Sequence, residues 1–156
     1  MDLNSLNLLV ICTANICRSP MAEAALRHAI AARGLRANVA SAGVDALPGH
    51  PAHPISITTV ARAGYGDISG HRSRQLSPRM AQEADFVLCM RNTHRDAIVA
   101  RVPQAAGRTR LLGHWSDIEI DDPVSGPAEG FIECLERMDE CIEEWVDRLQ
   151  RQGLLQ

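Results

Sequence analysis

Asn7-Leu8-Leu9-Val10-Ile11-Cys12-Thr13-Ala14-Asn15-Ile16-Cys17-Arg18-Ser19-Pro20 decides the fold. Its first part, up to Cys12, is a short apolar run that breaks into a polar loop, the pattern of a parallel strand buried on both faces. Ser19-Pro20 has the residues of a helix start, Ser as the N-cap and Pro at the first helical position. Ala22, Ala25, Leu26, Ala29 and Ile30 then recur at three- and four-residue steps and make one apolar face, and Gly34 ends the helix. Strand, loop and helix follow one another without a break, and Cys12 stands where the strand runs out.

The same alternation continues outward. Arg36 to Ser41 reads as a second strand, closed by Ala42-Gly43. Pro48, Gly49, Pro51 and Pro54 make the stretch from Val44 to Pro54 a loop. A helix is predicted over 55–63, stopped by Gly64, and Ser77-Pro78 opens another short one. Asp85-Phe86-Val87-Leu88-Cys89-Met90 is a third strand, 92–102 a helix and Thr109-Arg110-Leu111-Leu112 a fourth strand. The segment 116–127, acidic and punctuated by Gly and Pro, reads as a long functional loop. Phe131, Leu135, Met138, Ile142, Trp145, Val146 and Leu149 mark a long amphipathic final helix. Strands alternating with helices predict an α/β fold, a parallel sheet covered by helices on both faces. Such sheets bind ligands at the carboxyl ends of their strands, where Cys12 is.

The bulk properties narrow the function. The 156 residues suit one domain, 1–156, and 46% apolar with 22% charged residues is the balance of a globular protein. A net charge of −3 argues against nucleic acid as a partner, since a phosphate backbone would be repelled. No apolar run approaches the roughly 18 residues of a membrane span, so no membrane insertion is expected. Met1-Asp2-Leu3-Asn4-Ser5 lacks the basic start of a signal peptide, and the expected location is cytoplasmic. Five cysteines, at 12, 17, 89, 134 and 141, are odd in number and scattered, a poor disulfide framework. Cys134 and Cys141 read as core or boundary residues of the last helix.

The loop after Cys12 carries the chemistry. Five residues, Thr13, Ala14, Asn15, Ile16 and Cys17, separate a cysteine from Arg18. Between a strand and a helix N-terminus such a loop can turn its backbone N–H groups toward one centre, an anion nest. The Arg18 guanidinium adds paired hydrogen bonds to a phosphate. The same field favours the thiolate of Cys12, a strong nucleophile and a tolerable leaving group. Attack on a phosphate ester would give a phosphocysteine. The leaving oxygen then needs an acid and the incoming water a base, and one carboxyl group can serve as both.

These residues resemble the low-molecular-weight protein tyrosine phosphatase family over nearly the whole chain. The resemblance extends through Ser41-Ala42-Gly43, Ser69-Gly70-His71-Arg72-Ser73-Arg74-Gln75-Leu76, the third strand and Asp122-Pro123. Leu111-Leu112-Gly113-His114-Trp115 looks like the bacterial branch tied to exopolysaccharide export and its tyrosine autokinases. It implies a flavodoxin-like (Rossmann-like) sheet of four parallel strands ordered 2-1-3-4. It implies hydrolysis of protein phosphotyrosine and aryl phosphates, with no cofactor and no metal, a tyrosine autokinase as partner, and a monomer or weak dimer. By position, Cys12 matches the nucleophile, Arg18 the clamp and Asp122 the general acid and then base. Asp121 competes for that last role, but the stiffening proline follows Asp122. Ser19 matches a residue that steadies the thiolate, and Asn15, Ser41 and His71 match a network bracing the loop. Asn15 suits a left-handed backbone position. Cys17 lies inside the loop, where its N–H is expected to face phosphate; its thiol reads either as a trap for oxidised Cys12, as a disulfide, or as a packing residue.

Two positions depart from the family pattern. Ala14 replaces the usual loop glycine, and Val124 the usual aromatic residue after Asp-Pro, leaving Val124 and Leu47 as the apolar substrate wall. An arsenate reductase on the same fold would relay a disulfide through a closely spaced cysteine pair, and Cys89 has no such neighbour. A non-catalytic phosphate-binding module would not need Cys12, Arg18 and Asp122 together. His50 and His53 read as solvated loop histidines rather than metal ligands.

Overall fold

The computed structural model describes residues 3–156; Met1 and Asp2, part of the segment read for a signal peptide, lie outside them. Four parallel strands, β1 (Leu6–Cys12), β2 (Ala37–Gly43), β3 (Phe86–Cys89) and β4 (Thr109–Leu111), pair in the order β2-β1-β3-β4. This is the expected α/β topology. β1 is central and bonded on both sides, with Leu9 opposite Ala40 on β2 and Val87 on β3. Its alternation explains the unbroken apolar run. Leu8, Val10 and Cys12 join one buried cluster and Leu9 and Ile11 the other, so every residue of the run has a core to enter. The first cluster is completed by α1 (Arg18–Ala32), α2 (Pro54–Arg62) and α5 (Ala128–Arg151), the second by α3 (Pro78–Glu83) and α4 (Asn92–Arg101). Burying each such aliphatic side chain is worth about 1.5–3 kcal/mol.

The helices follow the predicted signals with some differences. Ser77 caps α3 by accepting from the N–H of Met80 at 3.2 Å. Gly34 takes φ +69° just beyond α1, a conformation that costs a residue without a side chain little. Ser19, expected as the cap of α1, is not its cap. The helix begins at Arg18, its N-cap is Cys17 with no side-chain bond, and the Ser19 hydroxyl is committed elsewhere. Two 3₁₀ turns, Pro103–Arg108 and His114–Ser116, interrupt stretches read as plain connections. On α5 the predicted stripe is buried, and Trp145 donates its indole N–H to the carbonyl of Leu112 at 2.8 Å. Among the described residues no helix is long and apolar enough to cross a membrane.

Two features of β2 bear on the site. Its last residue, Gly43, lies against the loop after β1, where a Cβ would stand 2.4 Å from the Thr13 carbonyl oxygen; no side chain fits there. β2 also forms one margin of the sheet, and its Val39 and Ser41 carbonyls accept from the guanidiniums of Arg27 and Arg74.

Candidate active site

The chain leaves β1 at Cys12 and enters α1 at Arg18, and the carbonyls between them turn outward. Cys12 O accepts from Val44 N at 3.0 Å and Thr13 O from Asp45 N at 2.9 Å. Ile16 O accepts from His53 N at 2.7 Å, and Asn15 O meets His71 Nε2 at 2.7 Å. In a trans peptide the N–H points opposite its carbonyl. The N–H groups of Thr13, Ala14, Ile16 and Cys17 therefore turn to the inner side of the loop, as an anion nest requires. A carbonyl only accepts, so His71 carries its proton on Nε2.

Asn15 holds the loop in this shape. It takes φ +58°, the left-handed conformation expected of it, and is fully buried. Its side-chain amide donates to the hydroxyls of Ser19 at 2.8 Å and Ser41 at 2.9 Å, and its oxygen accepts from Arg74 N at 2.9 Å. Ser19 Oγ lies 3.0 Å from Cys12 Sγ. Since that oxygen already accepts from Asn15, the single hydroxyl proton is free to point at sulfur and favour its anion. Ala14 is not among the residues with positive φ, so its methyl costs the loop no backbone strain.

Arg18 is buried, 4% exposed, and donates to Ile120 O at 2.9 Å and Thr13 Oγ1 at 3.4 Å. Asp122 Oδ2 lies 3.8 Å from the same guanidinium. The other oxygen of Asp122 accepts from Val124 N at 3.0 Å. Asp121, the competitor, is turned away: its carboxylate accepts from Arg91 Nη1 at 2.7 Å. Of the two residues read as a substrate wall, Val124 adjoins Asp122 and Leu47 lies on the loop after β2; both are exposed.

Cys12 and Cys17 are both free thiols. Burial pushes the Cys17 thiol up to about 12, which keeps it protonated. Cys134 is pushed up to about 11, again mainly by burial, and Cys89, fully buried in β3, is raised further. His53 caps α2 through Nδ1 and stacks on Phe131 with ring centroids 5.0 Å apart. Among the described residues no three His, Cys, Asp or Glu side chains come together as metal ligands.

Sequence reasoning passed over Arg91, the N-cap of α4 just past β3, and His94 in the first turn of that helix. His94 Nδ1 accepts from Arg91 N at 3.1 Å, so its proton is on Nε2, which donates to Thr13 Oγ1 at 2.9 Å. Burial, then the charges of Arg18 and Arg91, lower its pKa to about 4. The available signal was topological: residues just past β3 emerge at the same end of the sheet as Cys12.

A sequence profile of the family described as low molecular weight phosphotyrosine protein phosphatase matches residues 7–154. The chain is 38% identical over 146 residues to the "Probable low molecular weight protein-tyrosine-phosphatase EpsP" of Ralstonia solanacearum, covering 94% of this chain and 97% of that one. Vibrio vulnificus Wzb, solved in complex with benzylphosphonate, superposes with a TM-score of 0.84 at 32% identity, covering 92% of this chain and 99% of that one. The YwlE arginine phosphatase from Geobacillus stearothermophilus superposes with a TM-score of 0.85 at 33% identity, covering 94% of each chain.

Proposed function

The chain belongs to the low molecular weight phosphotyrosine protein phosphatase family, and on that premise we propose that it hydrolyses protein phosphotyrosine through a cysteinyl-phosphate. The observation that carries this reading is the loop whose Cys12, Thr13, Asn15 and Ile16 carbonyls turn away from the side where a phosphoryl group would sit, with Cys12 at its start and Arg18 at its end.

The geometry supports the following steps. The nest and Arg18 bind the three non-bridging oxygens, and their charge spreads over donors that need no rearrangement. The Cys12 thiolate, held by the Ser19 hydroxyl, attacks phosphorus in line. The bond from phosphorus to the tyrosyl oxygen breaks, and Asp122 gives that oxygen its proton. Asp122, now a carboxylate, takes a proton from water, which attacks the phosphocysteine and releases inorganic phosphate and the thiolate. Asp122 is assigned the acid's role because it faces Arg18 while Asp121 is engaged by Arg91. Thr13, Ala14, Asn15, Ile16 and Cys17 form the phosphate cradle, Ser41 and His71 brace it, and Leu47 and Val124 flank the substrate ring. No cofactor or metal enters any step.

The likeness to the protein-tyrosine-phosphatases EpsP and Wzb supports a phosphotyrosine protein as substrate, and the resemblance of the Leu111–Trp115 segment to the exopolysaccharide-associated branch makes a tyrosine autokinase the proposed partner; a cytoplasmic location and a monomer or weak dimer are part of the same proposal. The likeness to an arginine phosphatase supplies a second reading, phosphoarginine hydrolysis by the same loop. Both predict a phosphocysteine, and only substrate comparison separates them. An arsenate relay has little support, because Cys89 is sealed inside β3. The test is kcat/KM on phosphotyrosine, phosphoarginine and phosphoserine peptides, with and without a chelator. A strong preference for phosphotyrosine that the chelator leaves intact is expected. Preference for phosphoarginine selects the second reading, and no turnover of any leaves a binding module.

A further inference from the structure

The segment Glu119-Ile120-Asp121-Asp122 presents its residues alternately to two sides. Ile120 is buried, its N–H donates to Met90 O at 2.8 Å and its carbonyl accepts from Arg18. Glu119 and Asp121 point the other way, to the turn between β3 and α4. Glu119 accepts from Asn92 N at 2.8 Å and lies 3.8 Å from Arg91 Nε, while Asp121 accepts from Arg91 Nη1 at 2.7 Å. One guanidinium thus grips the carboxylates on both sides of Ile120. It sits on a turn that is itself fixed, because the Arg91 N–H bonds to the His94 ring that also reaches Thr13.

Two adjacent carboxylates, Asp122 3.8 Å from the buried Arg18 and Asp121 on Arg91, pose a selection problem. Either could swing toward that cation, and a backbone rotation would exchange them. We infer that Arg91 is a positioning residue that makes this selection: by holding Asp121 and Glu119 it keeps Asp121 away from the site and leaves Asp122 facing the leaving oxygen. It touches neither substrate nor phosphorus. This rests on Asp122 being the general acid.

The consequence is specific to leaving-group protonation. Phenyl phosphate needs the acid, whereas para-nitrophenyl phosphate, whose phenolate leaves readily, needs it little. In Arg91→Ala, kcat/KM for phenyl phosphate should fall about threefold relative to para-nitrophenyl phosphate, the scale of a partly exposed ion pair. Arg91→Lys should retain most of the ratio, and removing the competitor in Arg91→Ala/Asp121→Asn should recover part of it. Inhibition by inorganic phosphate should not change, which shows an intact loop. In an Asp122→Asn background, Arg91→Ala should add no leaving-group dependence. Equal losses on both substrates, or the same loss in the Asp122→Asn background, would overturn the assignment of Arg91 while leaving the acid in place. If Asp122→Asn itself lowers both substrates equally, the acid assignment falls and this inference with it.

Discussion

The loop from Cys12 to Ser19 and the segment from Glu119 to Asp122 meet at Arg18, yet they are held by opposite means. The first is bound through neutral hydrogen bonds around a buried side-chain network: Asn15, Ser19 and Ser41 join side chain to side chain, and the start of the loop after β2, the N-cap of α2 and His71 take the outward carbonyls. The second is held at Ile120 by backbone and Arg18, and beyond that by ion pairs on side chains that water reaches; Asp121 is 81% and Asp122 49% exposed. Hydrogen bonds in a sealed network are costly to leave half made, while exposed ion pairs contribute little each and weaken in salt. The side of the proposed nucleophile is therefore preorganised, and the side of the proposed acid is adjustable.

The sharpest division comes from deleting one proposed reacting group on each side. Cys12→Ser should abolish turnover while the circular dichroism melt stays close to that of the parent; measurable phosphotyrosine hydrolysis would exclude Cys12 as nucleophile. Asp122→Asn should slow phenyl phosphate by about 10²-fold or more, the usual worth of a general acid, and leave para-nitrophenyl phosphate far less affected. Stability should respond in the reverse sense. Asn15→Ala strands the Arg74 N–H and removes two further bonds, so urea unfolding should show a loss of about 2–4 kcal/mol, against almost none for Asp122→Asn.

Protons and salt probe the same division more gently. His94 is buried neutral with its pKa lowered from 6.5 to about 4, so between these values the unfolded chain binds the extra proton. Stability is fully present above about 6.5 and falls as pH drops toward about 4, by up to about 3 kcal/mol. His94→Gln should flatten that slope in a series of urea melts. Raising salt toward about 1 M, where screening is nearly complete, should lower the phenyl to para-nitrophenyl phosphate ratio by less than about threefold without moving the melt.

Legibility in the sequence divides along similar lines. The strands and helices were readable because burial on both faces of the sheet leaves an apolar run or a three-to-four repeat in a short window. The 3₁₀ turns at Pro103–Arg108 and His114–Ser116 have no such period. Cys12, the loop and Arg18 were readable because nest, cysteine and helix start are contiguous. Asn15's partners Ser41 and His71, 26 and 56 residues away, came only through family resemblance. Read locally, Ser19 looked like a helix cap, because nothing in a short window shows that its hydroxyl is shared between Asn15 and Cys12. Arg91 and His94 carry no motif spacing to Thr13 or Asp121, and only the folded sheet brings them together.

The guanidiniums of Arg27 and Arg74 at β2 reach beyond catalysis. A sheet margin with open carbonyls is a template on which a second chain can add a strand. Here two of those carbonyls are already occupied from within the molecule, by bulky cations that an incoming strand would have to displace. Self-association through this border is thereby discouraged, and neutralising these two arginines should make the protein more prone to aggregate before it makes it less active.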